Sequence, residues 1–143
     1  MAHTTLKTFG YPDTLVREYE HWCVLLRPAQ VTLGSLVMIC KQDVTQFSDI
    51  SSDAFVEMGQ VIKDIETGLK TVSHFEKINY LMLMMVDPHV HMHVIPRYSE
   101  PREFEGVEFV DTGWPAMPQL GDGFKLEPEV FSALLACVKK AFA

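Results

Sequence analysis

The sequence predicts a mixed domain in which helices pack on a β-sheet with antiparallel neighbours, and three observations carry that reading. Apolar, β-rich runs occupy residues 22–26, 31–40, 77–86 and 89–95. Between them lies one long stripe of apolar residues spaced by three and four, from Phe55 to Val72. Only Asp87 and Pro88 separate the last two runs, and a link that short favours an antiparallel neighbour, since a parallel return needs roughly a dozen residues. With 143 residues, 48% hydrophobic and 22% charged, the chain is read as one globular domain over 1–143 with enough length to bury a core.

Residues 1–10 lack periodicity and are read as a loose lead-in. Pro12-Asp13-Thr14 is read as the start of a short helix, with Leu15, Val16 and Tyr19 following. Residues 22–26 are a buried strand that ends before Pro28. Residues 31–40 are a second strand, in which Gly34 marks a bulge or a close backbone approach. Ser51-Ser52-Asp53 offers an N-cap to a helix over 52–72. Its apolar stripe is Phe55, Met58, Ile62, Ile65, Leu69 and Val72. Residues 77–86 form a third strand, almost wholly apolar after Asn79 and so read as central in the sheet. The histidine-bearing strand follows and Pro96 closes it. Residues 99–126, rich in Gly and Pro, are a long loop or arm with a short strand at 107–110. A C-terminal helix spans 127–142, with Pro128 in its first turn and Lys139 and Lys140 at its end, where positive charge is favoured.

The formal net charge of −7 argues against a role built on nucleic-acid backbone contacts, while a few local cations still allow a small anionic ligand. Cys23, Cys40 and Cys137 are odd in number and lack Cys-x-x-Cys spacing, the pattern of reduced thiols in a cytoplasmic protein. The first seven residues hold no apolar core of a secretory signal. The longest apolar run, Tyr80 to Val86, is short of the ~20 residues that cross a bilayer.

Chemistry concentrates in His89-Val90-His91-Met92-His93-Val94-Ile95-Pro96-Arg97. On a strand, the three histidines share one face and the apolar residues the other. Three uses compete. A metal site needs three or four ligands around one point, but His89 and His93 would stand about 13 Å apart along the strand and converge poorly. Covalent catalysis needs one imidazole held in one tautomer, with flanking groups to orient it, bind anionic oxygens or pass a proton; His91 has the central position for it. A structural role without chemistry is the third, disfavoured because clusters of titratable groups mark sites. His3, His21 and His74 are isolated and read as structural or exposed, and Trp114 as a packing residue.

The pattern of residues 89–95 resembles the signature of the histidine-triad (HIT) family of nucleotide hydrolases and transferases. Pro96-Arg97 is similar to its hydrolase branches. Leu33-Gly34-Ser35-Leu36-Val37-Met38-Ile39 resembles its glycine-containing second strand, and the helix over 52–72 its long helix. The likeness covers roughly residues 15–97, with a weaker echo in Gly113-Trp114-Pro115. It implies an α+β fold: an antiparallel sheet of about five strands, one long central helix and a C-terminal helix, assembled as a homodimer. It further implies that His91 attacks an α-phosphate to give a nucleotidyl-histidine that water resolves, with His89 and His93 as flanking, proton-handling groups.

Asn79 falls where family members often carry a polar site residue. Arg97 would neutralise phosphate or cap its strand. The chain departs from the family at Ser35, where many members have His, and at Arg27, where many have an Asp or Asn that contacts ribose. An Arg cannot accept hydrogen bonds, so Arg27 either contacts phosphate or sits outside the pocket in a surface ion pair. Asp87-Pro88 also replaces a glycine-rich loop. The resulting expectation is hydrolysis of a nucleoside 5′-phosphate conjugate or a dinucleoside polyphosphate, such as diadenosine polyphosphate. No cofactor, metal, nucleic acid or membrane is involved in that expectation. The alternative is an AMP-type binding module with little catalysis.

Overall fold

The computed structural model describes residues 2–143. Five strands make the main sheet: β1 (Leu15–Glu18), β2 (Trp22–Leu26), β4 (Leu36–Cys40), β5 (Lys77–Leu81) and β6 (His91–Arg97), in the order β1-β2-β4-β6-β5 with every neighbouring pair antiparallel. Helices α2 (Ser52–Ser73) and α3 (Pro128–Phe142) cover one face, and the short α1 (Thr4–Thr8) lies on the other. This is the α+β architecture expected from the resemblance.

Alternation along β2 and β4 sorts their side chains between two cores. Val24, Leu26, Leu36 and Met38 meet Ile65 and Leu69 of α2 and Leu134 and Val138 of α3. Cys23, Leu25, Val37 and Ile39 face the other way, onto Leu6 of α1. Helix α2 starts where Ser51 accepts the N–H of Ala54, as its sequence predicts. Its buried stripe is rotated from the predicted one. Ala54, Val61, Ile65, Gly68 and Leu69 are buried, while Phe55 is exposed and packs on Phe47. Helix α3 runs as expected, with Lys139 and Lys140 in its last turn.

Four expectations are corrected. The predicted helix from residue 12 is absent. Residues 15–18 pair with β2, and the helix lies earlier, in the stretch read as a loose lead-in. A five-residue helix has little stability of its own; burial of Leu6 and capping by His3, which accepts the N–H of Leu6, hold it. The second strand begins only at Leu36, because residues 31–35 turn around Gly34 at φ +88°. A Cβ there would come within 3.0 Å of Leu69 Cδ2, so Gly34 marks a close approach. The Gly34→Ala variant is expected to lose about 1–3 kcal/mol of stability, read as a lower urea midpoint at unchanged slope.

Strand β5 lies at the sheet edge, not in its centre, and ends at Leu81. Its apolar continuation leaves the sheet, with Leu83, Met85 and Val86 exposed. Finally, β6 continues through Pro96 to Arg97. The carbonyl of Arg97 accepts from Glu76 on the β5 side, so residue 96 faces the β4 side, where pairing stops at Leu36 and Val94. A missing N–H therefore costs no ladder bond there. The tail carries a hairpin of β7 (Arg102–Phe104) and β8 (Val107–Phe109), and its β9 (Phe124–Lys125) pairs with β3 (Ala29–Gln30).

Candidate active site

Register sets the site. His91 stands opposite Ile39 and His93 opposite Val37, on the face that α1 partly covers. Both rings line a cleft of about 340 Å³ with Thr8, Phe9, Arg27, residues 83–87 and Leu120. Their centroids are 5.2 Å apart at 78°, and Phe9 lies 5.7 Å from each. The Nδ1–H of His91 donates to the carbonyl of His89 at 2.6 Å. A carbonyl only accepts, so this bond selects the tautomer of the neutral ring with its proton on Nδ1, in which Nε2 is the free nitrogen a covalent mechanism requires.

His89 departs from its expected place. It precedes β6 and faces a second hollow beside His3, Lys7 and Asp43. Its Nε2–H donates to Asp43 at 2.7 Å, and its Nδ1 accepts from the Thr5 hydroxyl at 2.8 Å. With both nitrogens engaged, the ring is not placed to flank a phosphate in the cleft with His91. Among the described residues no three His, Cys, Asp or Glu side chains are grouped to hold a metal ion.

Arg27 reaches the cleft. Its Nε–H donates to His93 Nδ1 at 3.4 Å, and one terminal N–H to the Ala29 carbonyl at 2.6 Å. The acceptor role of Nδ1 leaves His93 Nε2 carrying the proton, as a donor. Burial, the Arg27 charge and His91 push His93 down to about 4. It is therefore neutral above that pH. In an unfolded chain it would bind a proton below about pH 6.5, so the native state binds fewer protons between 4 and 6.5. The contribution is full above 6.5 and is lost as pH falls through that window. Stability is expected to drop by up to about 3 kcal/mol on acidification across it. Arg27→Met should shrink that drop and raise the His93 titration midpoint in NMR; an unmoved midpoint would refute the charge coupling.

Asn79, Arg97 and Ser35 are not brought to this cleft. Arg97 sits on the same sheet face four residues beyond His93, about 13 Å along the strand. It is 4% exposed and donates to both carboxylate oxygens of Asp111, at 2.6 and 3.1 Å, and to Asn79 Oδ1 at 2.8 Å. This group borders a separate hollow with Trp114 and Pro115. Ser35 is buried, and its hydroxyl bonds the Thr32 carbonyl within the Gly34 turn.

Several neighbours escape the sequence reading. Thr5, Phe9 and Asp43 lie far from the histidines in sequence and carry no motif; Asp87 and Leu120 enter through loops. His3, isolated in the sequence, is a buried cap. A polar and apolar mixture of that kind has no periodic signal.

A five-stranded antiparallel sheet whose strand β6 brings His91 and His93 to one cleft frames a candidate histidine-centred site. Residues 10–100 match the family model described as the HIT domain, and the chain belongs to that family. No curated protein matches the sequence. Solved structures share the fold. A histidine triad protein from Marinobacter aquaeolei VT8 is 16% identical, covers 99% of this chain and 95% of its own, and has a TM-score of 0.77. One from Bradyrhizobium japonicum is 16% identical over 100% of this chain and 98% of its own, at TM-score 0.76. A histidine triad nucleotide-binding protein from Sulfolobus tokodaii is 22% identical over 90% and 83%, at 0.66. Membership suggests a function of the nucleotide hydrolase or transferase type. No helix among the described residues is long and apolar enough to cross a membrane.

Proposed function

We propose that the protein hydrolyses a nucleoside 5′-phosphate conjugate, with His91 as the nucleophile. The observation that carries the reading is the 2.6 Å bond from His91 Nδ1–H to the His89 carbonyl, which selects the tautomer of the neutral ring whose free nitrogen is Nε2, on a residue that lines the cleft. In the first step Nε2 bonds to the α-phosphorus, and the bond from phosphorus to the leaving group breaks with its electron pair. The leaving group takes a proton from solvent. In the second step water attacks phosphorus, the P–N bond breaks, and its electrons return to Nε2 while a water proton goes to solvent. The His93 Nε2–H and the free N–H groups of Arg27 are donors for the non-bridging oxygens.

The lining favours a substrate with one phosphate in the cleft. Among the described residues Arg27 is its one cation, Asp87 opposes a second anionic group, and Phe9, Leu83, Met85, Val86 and Leu120 suit a flat base or apolar leaving group. That lining favours simple conjugates over dinucleoside polyphosphates. A homodimer is the assembly implied by the family resemblance. Mass spectrometry of protein quenched during turnover of adenylated compounds tests the mechanism. A gain of one nucleotide mass on the peptide containing His91 is expected; turnover without any adduct there would refute it.

A further inference from the structure

The tautomer of His91 depends on a carbonyl that the sheet does not hold. His89 lies before β6, and the peptide that carries its carbonyl is tied at its other end, where the Val90 N–H donates to the Val44 carbonyl at 3.3 Å. The backbone N–H and the ring of His89 are fixed from the N-terminal segment. Thr5 Oγ1 accepts the backbone N–H of His89 at 3.3 Å and donates its own proton to His89 Nδ1 at 2.8 Å. The His89 ring also stacks on His3, with centroids 3.9 Å apart and planes within 5°. His3 is anchored in turn, since its Nε2–H donates to the Cys40 carbonyl at 2.8 Å and its Nδ1 accepts from Leu6 N–H. Asp43 takes the remaining N–H of His89.

Burial of Leu6 alone would dock α1 on the sheet. It would not require a hydroxyl, 1% exposed, with two bonds to the one residue whose carbonyl holds His91. Two directed bonds, one to the His89 N–H and one to its ring, fix the orientation of the residue where apolar contact fixes only its distance.

We infer that the N-terminal segment is a positioning element of the active site, in which Thr5 holds His89 so that its carbonyl keeps His91 protonated on Nδ1. Thr5 is a positioning residue that acts through His89; His3 and Asp43 lock the ring. The consequence for rate rests on the reading of His91 as nucleophile. The consequence for the tautomer does not.

The test is ¹⁵N NMR of histidine-labelled full-length protein, compared with Thr5→Val and Thr5→Ser, together with kinetics on an adenylated conjugate. Wild-type His91 is expected to show the Nδ1–H tautomer alone. Thr5→Val should show a mixture of both tautomers, with kcat down about tenfold and KM within about twofold. Thr5→Ser should restore both. A Val variant with an unchanged His91 tautomer overturns the inference, including when its melting temperature falls. A mixed tautomer in a protein that never forms a nucleotide adduct supports the inference and defeats the proposed reaction instead. Should Thr5→Val fail to fold, Thr5→Ala, which keeps helix propensity, is read by the same criteria.

Discussion

Turnover is expected to fall by a factor on the order of 10⁴ to 10⁶ when His91 is replaced by Asn, with the fold unchanged. Asn is chosen because its amide nitrogen takes the place of Nδ1, so the bond to the His89 carbonyl survives. What disappears is the lone pair at the Nε2 position. His91→Ala should be as inactive, but it also strands that carbonyl and opens a hole beside Phe9, which costs stability of its own, about 1–3 kcal/mol. Agreement between the two variants separates loss of chemistry from loss of packing. Single-turnover kinetics on an adenylated conjugate and a thermal melt read the two effects. A His91→Asn variant with more than about a hundredth of wild-type turnover would end the nucleophile assignment, because non-covalent positioning alone does not sustain that rate.

Removing the Asp111 carboxylate is expected to produce a large loss of stability. The pair it forms with Arg97 is buried on both sides, with side chains 5% and 2% exposed. Asp111→Ala leaves the guanidinium in that interior with only Asn79 opposite it, and frees the Gly113 N–H that Asp111 also accepts. Breaking a buried pair from one side costs about 3–5 kcal/mol. Replacing both partners, as Arg97→Met with Asp111→Leu, should cost less than the single change, since no charge is then stranded. Urea denaturation reads both, and a single-variant loss under about 1 kcal/mol would show that water reaches the pair. The double variant also decides what Arg97 does. If it keeps wild-type turnover, Arg97 is a structural cation; if it folds and loses turnover, Arg97 serves the substrate after all.

The histidine pattern has period two, and its reach follows from that. His91 and His93 do share a face, opposite Ile39 and Val37. His89 obeys the same alternation on paper, yet the strand begins two residues later and its ring turns toward Asp43. A periodic pattern says where side chains point only while the ladder lasts. The apolar run to Val86 misleads for a related reason: hydrophobicity alone does not distinguish a central strand from an edge strand followed by a cleft wall.

The long helix, the C-terminal helix and the buried strands around Leu25 and Met38 were legible in the chain, because each is written in local spacing and composition. Tertiary structure alone decided the partners. It placed Arg27 against His93, spent Arg97 on Asp111, and brought Thr5 across 84 positions to His89. The physical reason is that a directed polar contact between distant segments depends on the packed distance between them, and no residue spacing along the chain encodes that distance.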